Sequence, residues 1–139
     1  MNDEGVRKRT NLTFLVHTFV ATMRNNSELC TLSVEMAVNV FSYYEWLTKE
    51  QHEHILSKQF LRSGTSIGAN IHEAHYASSK ADFINKLQIA LKEASETDYW
   101  LIVLERTGFF REDFLIVKQQ CTSLIRLLTA SINTAKANI

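Results

Sequence analysis

No proline occurs in the 139 residues, and glycine stands only at positions 5, 64, 68 and 108. Strands, hairpins and long loops rely on those two residues to turn the chain, so a sequence nearly free of them is confined to helices joined by short connections. The length suits one domain with one core. Apolar side chains recur every three or four residues along four stretches. Leu29, Leu32, Met36, Val40, Tyr43 and Leu47 form the first stripe, and Leu56, Phe60, Ser63, Ile67, Asn70 and Ala74 the second. Phe83, Leu87, Ala90, Ala94, Thr97, Leu101 and Leu104 form the third, followed by Phe114, Val117, Cys121, Leu124, Leu128 and Ile132. Four amphipathic helices with short links predict an all-α fold, an antiparallel up-and-down four-helix bundle over residues 27–139.

The punctuation between stripes predicts the helix ends. Thr48 and Gln51 have capping-box spacing, which starts the second helix near Lys49. Ser78 and Ser79 close that helix and cap the third, with Asp82 in its first turn, where the macrodipole favours negative charge. Gly108 suits a left-handed C-cap. Residues 1–26 differ in character and are read as an N-terminal extension or a short extra helix packing Phe14, Leu15 and Phe19 on the bundle. The regular rhythm begins only after Met23.

Fifteen basic and fifteen acidic side chains cancel, with an excess of two positive charges in residues 1–26, from Arg7, Lys8, Arg9 and Arg24 against Asp3 and Glu4. A nucleic-acid binder draws affinity from counterion release and usually carries a basic surplus, so any such site here is a local patch. Lys49, Lys58, Lys80, Lys86 and Arg111 are the candidates. Cys30 and Cys121 form no C-x-x-C pair and read as buried thiols in a reducing, cytoplasmic setting. Thr13, His17, Thr18 and Thr22 break the one run resembling a signal peptide, and no apolar stretch reaches the length of a membrane span.

The second and third helices carry unusual polarity. Arg62, Ser63, Ser66, Asn70 and Glu73 fall on or beside the core-facing stripe, with Glu96 placed to meet Arg62, and together they read as a buried hydrogen-bonded network that sets register. Gly64 and Gly68 make a small-x-x-x-small pair, which asks for close approach of another helix. His72 and His75 lack the spacing of a zincin or di-iron box, so no metal or cofactor is expected. No nucleophile elbow or phosphate loop is present, and the chain does not read as an enzyme. An enzyme built on Arg62, Asn70, Glu73 and Glu96 would need a pocket at those side chains. Val34, Val38 and Phe41, with Ile89, Trp100, Val103, Ile116 and Leu127, exceed what single stripes need, a surplus that predicts a homo-oligomer.

Arg62-Ser63, Ser66-Ile67, Asn70-Ile71 and Glu73-Ala74, followed by Asp82-Phe83, Leu87, Ala90, Glu96 and Leu101, resemble the four-helix-bundle family of 23S rRNA intervening-sequence proteins. That family includes the accessory variability determinants of diversity-generating retroelements. The resemblance spans roughly residues 27–135. It implies a bacterial cytoplasmic bundle assembled as a ring-like pentamer, without catalysis. Glu73-Ala74 and Lys92-Glu93 replace a Glu-Gly and a Gly-Ser of many members, which places the chain on a different branch. The expected function is an interaction scaffold with weak RNA or DNA contact. The alternative is a nucleic-acid-binding accessory of a retroelement or rRNA intervening sequence, with a protein partner such as a reverse transcriptase.

Overall fold

The computed structural model describes the backbone of residues 3–138 and the side chains of 12–14, 16, 17 and 26–138. Four helices make up the described chain: α1 (Asp3–Lys49), α2 (Leu56–Ala74), α3 (Lys80–Arg106) and α4 (Phe114–Ala137). Short links reverse the chain three times. Each helix packs on its neighbours in chain order, and α1 closes the array against α4. This is the antiparallel four-helix bundle that the stripes require.

The core follows the stripes closely. Leu29, Met36, Val40, Tyr43 and Leu47 are fully buried, as are Phe60, Ile67, Ala90, Ala94, Leu101, Leu104, Val117, Cys121, Leu124 and Leu128. Two positions shift on α2, where Ile71 takes the core place expected of Asn70 and Asn70 is half-buried. The reason is chemical as well as geometric: the Asn70 amide donates to the Ser66 carbonyl at 2.9 Å, which holds it at the edge of the stripe.

The helix ends show where local signals were sound. Ser79 is the N-cap of α3, its hydroxyl accepting from the Asp82 amide at 3.1 Å while the Asp82 carboxylate accepts from the Ser78 amide. Gly108 has φ +88°, and the amides of Gly108 and Phe109 donate to the carbonyls of Glu105 and Leu104, a Schellman closure of α3. The expected start of α2 is corrected. The Thr48 hydroxyl donates back to the Tyr44 and Glu45 carbonyls inside α1, so it caps nothing. The cap of α2 is Glu53, whose carboxylate accepts from the amides of Ile55, Leu56 and Ser57 at 3.0, 2.8 and 2.7 Å.

Residues 3–26 are not a separate short helix, because α1 runs unbroken for 47 residues. At 1.5 Å per residue that is about 70 Å, roughly twice the depth of the bundle. Leu12, Phe14 and Val16 are 64, 66 and 52 % exposed, so this arm projects and does not fold back. No helix among the described residues is long and apolar enough to cross a membrane.

Candidate functional site

The polar residues of α2 and α3 do not form one buried network. Two layers replace it. The inner layer is small: Ser63 and Thr97 are fully buried and share a hydrogen bond at 3.0 Å, while the Thr97 hydroxyl donates to the Glu93 carbonyl at 2.8 Å. The outer layer is an ion-pair ladder at the surface. Arg62 donates to Glu96 at 2.5 Å and lies 3.4 Å from Glu93, and Trp100 Nε1 donates to Glu96 at 3.2 Å. Ser66 donates to the Arg62 carbonyl at 2.7 Å. Glu73 stands more than half exposed further along α2 and pairs with Lys86 at 3.0 Å, apart from the others. The physical reason is cost: a charged group left in the core would forfeit its hydration, whereas a hydroxyl needs only one partner.

These contacts set the ionisation of the ladder. The Arg62 hydrogen bond holds the Glu96 carboxyl below the usual carboxylate range, and Glu96 in turn raises the guanidinium. The Glu73 contact raises the Lys86 ammonium. A set of mutually satisfied pairs on an open surface fastens α2 to α3. Among the described residues, grooves of about 440, 420 and 620 Å³ are open to solvent, and these are lined by residues other than Arg62, Asn70, Glu73 and Glu96.

Gly64 and Gly68 face α1. A Cβ on Gly64 would lie 2.8 and 3.0 Å from the Val40 methyls, and one on Gly68 would lie 3.2 Å from the Ser33 hydroxyl. The close approach predicted from their spacing is therefore the α1–α2 contact.

The five basic candidates do not share a patch. Lys49, Lys58 and Arg111 belong to the end of the bundle where α1 finishes and α4 begins, whereas Lys80 and Lys86 lie at the opposite end, where α3 begins. Arg111 is also engaged, pairing with Asp113 at 3.3 Å, donating to the Ser42 carbonyl and resting 6.0 Å from the Trp46 ring. Lys49 pairs with Glu45 at 3.5 Å.

Among the described residues no group of three or more His, Cys, Asp or Glu converges as metal ligands. His72 and His75 are exposed. The cysteines differ from expectation: Cys121 is buried, its thiol donating to the Ala94 carbonyl and pushed up by burial to about 12, while Cys30 is only half-buried. Its sulfur lies 2.7 Å from His75 Nε2 at the end of α2, a contact between neighbouring helices that sequence spacing could not reveal.

Two groups of exposed apolar side chains stand out, the first as the surplus on α1 predicted and the second only at Ile116, because Trp100 and Leu127 pack against the core and Ile89 and Val103 are half-buried. Val34, Val38 and Phe41 on α1 are 62, 64 and 50 % exposed beside the groove of about 420 Å³, which Ala37, Thr65, Gly68 and Ala69 also line. Tyr99 and Ile102 on α3, with Leu115 and Ile116 on α4, make the second. An ion pair between Asp98 and Lys118 joins α3 to α4, with Ile102 one turn from Asp98 and Leu115 one turn from Lys118.

The model of the 23S rRNA-intervening sequence protein family matches residues 25–130. A solved structure from Bacteroides thetaiotaomicron, described as a protein of unknown function from the S23 ribosomal protein family, is 49 % identical. It covers 78 % of this chain and 98 % of its own length, with a TM-score of 0.76. No curated protein matches.

Proposed function

The chain belongs to the 23S rRNA-intervening sequence protein family, and from that premise we propose that it is a non-enzymatic, self-assembling interaction scaffold of the bacterial cytoplasm. A ring-like pentamer is the assembly its family resemblance favours. The observation that carries the reading is the pair of exposed apolar faces, one on α1 and one on α3 and α4. Monomeric proteins seldom leave several large apolar side chains together in water, and two unlike faces on one subunit suit a closed ring.

Contact with RNA or DNA is weak in this proposal. Net charge is zero, the candidate lysines and arginine are divided between two ends, and three of the five already have acidic partners. The alternative, a nucleic-acid-binding accessory working with a reverse transcriptase or an rRNA insertion, needs one continuous basic track. Fluorescence anisotropy with labelled single- and double-stranded RNA and DNA at two salt concentrations separates the two, beside light scattering for mass. A discrete oligomer with binding weaker than micromolar supports the scaffold. Micromolar or tighter binding with a steep salt slope supports the accessory role, and a monomer refutes self-assembly.

A further inference from the structure

A thiol and an imidazole meet between α1 and α2, with Cys30 Sγ 2.7 Å from His75 Nε2. The close approach that presses Gly68 onto Ser33 brings them together, one turn back along α1 and two turns on along α2. His75 closes α2, where its amide donates to the His72 carbonyl at 3.2 Å. The next amides, of Tyr76 and Ala77, donate to the carbonyls of Glu73 and Ala74, so the turn holds the ring beside α1. The imidazole is exposed and the sulfur half-buried, which lets a small solute reach the pair from the end of α2. The pair lies outside the groove of Val34, Val38 and Phe41 and asks nothing of that face.

The surroundings leave the two groups to act on each other. Glu73 is paired with Lys86, the His72 ring faces Tyr76 at 5.6 Å, and Glu28 and Arg126 line the α1–α4 groove. Burial pushes the Cys30 thiol up from its ordinary value, so at neutral pH the sulfur keeps its proton unless a base takes it. An imidazole at hydrogen-bond distance is such a base. A thiol donating to a neutral imidazole and a thiolate accepting from an imidazolium differ only in the position of one proton. The fraction in the second form therefore does not change with pH until a proton enters or leaves the pair.

We propose that Cys30, with His75 as its proton acceptor, is a modification site for low-molecular-weight disulfides. His75 Nε2 takes the thiol proton, and the Sγ lone pair attacks one sulfur of the disulfide. The new Sγ–S bond forms as the S–S bond breaks, and the departing thiolate leaves as a thiol with the proton returned from His75. One disulfide is consumed and one is made, so no further oxidant is required. A disulfide is the class the pair suits, because its leaving sulfur needs the proton that the imidazole has just gained. Cys121 takes no part: it is sealed in the core with the Ala94 carbonyl as its hydrogen-bond partner. The site goes beyond the scaffold reading and does not rest on it.

The test uses the full chain. Iodoacetamide, whose own reactivity does not change with pH, reads the thiolate, and peptide mass mapping assigns each site. A thiol without a base gains about tenfold in rate per pH unit below its pKa, whereas the wild-type rate at Cys30 is expected to change by less than about twofold between about pH 7 and 8.5. His75→Gln keeps a hydrogen-bonding group that cannot take the proton. Its rate is expected to be lower at pH 7 and to climb with the steep slope, while His72→Gln behaves as wild type. Oxidised glutathione is expected to add one glutathionyl group to native wild-type protein at Cys30, removable by dithiothreitol, and to react about tenfold more slowly with His75→Gln at pH 7. A wild-type rate that climbs tenfold per pH unit, equal rates for wild type and His75→Gln at pH 7, or glutathionylation confined to unfolded protein overturns the proposal. The wild-type profile needs no substitution, so it decides the matter even if His75→Gln does not fold.

Discussion

Replacing Gly64 by alanine sets two effects of opposite sign against each other at one buried contact. In a helix interior alanine is favoured over glycine by about 1 kcal/mol. Here the added Cβ would stand 2.8 and 3.0 Å from the methyls of Val40, which is fully buried. Those separations are well inside the ~3.5–4.0 Å optimum for carbon atoms. Val40 is β-branched and held to one χ1 rotamer in a helix, so it relieves the clash only by moving α1. Overpacking of this kind costs about 1–3 kcal/mol. Gly64→Ala is therefore expected to destabilise by about 1 kcal/mol net. In a Val40→Ala background the methyls are gone, and the same substitution is expected to stabilise by up to about 1 kcal/mol, a coupling of about 2 kcal/mol. Urea unfolding of the four proteins at one subunit concentration measures it, since assembly makes stability concentration-dependent. An effect of the same sign and size in both backgrounds would refute the reasoning.

Glu53→Gln is expected to cost about 1 kcal/mol at pH 7 through loss of the charged cap. Burial pushes the Glu53 carboxyl up, but the amides of Leu56, Ser57 and Ile55 push it further down, so its net position is below the ordinary 4.5. Its contribution is complete above that value and fades as pH falls through the lower folded one, so the gap between variant and wild type should close in acid; a gap constant down to pH 2 would contradict this. A thiol reagent should label Cys30 in the native protein and leave Cys121 unmodified until unfolding, as mass spectrometry of each site would show. Equal rates would mean that α3 and α4 open readily around Ala94. Gly68→Leu is expected to force α2 away from Ser33 and lower both melting temperature and oligomer mass; no change in either would rule out tight packing at that position.

Much of this architecture was open to reading in the chain itself. The third and fourth stripes emerged almost residue for residue, because burial along an amphipathic helix is set by a 3.6-residue period and the links are too short to shift it. Gly108 and Ser79 were legible for a similar reason, since a left-handed turn and an N-cap are local problems with few chemical solutions. The Arg62–Glu96 pair was also foreseen, although its depth was not. Thr48 misled because its hydroxyl had two competing uses, a cap or a bond to its own helix, and only the course of the chain through Glu50–Ile55 decided between them.

Sequence alone determined the helical class, the bundle core and the membership of the family, since these depend on residue type and spacing within each helix. Tertiary structure decided everything that depends on distance between helices. It placed Glu73 and Arg62 at the surface while Ser63 and Thr97 went inside, and it brought Cys30 to His75. It pressed Gly64 onto Val40 and divided the basic residues between opposite ends. It also carried α1 past the bundle as a single helix, leaving Leu12 and Val16 in water. A periodic pattern specifies which face of a helix is apolar; only packing specifies which of two apolar faces its own chain covers.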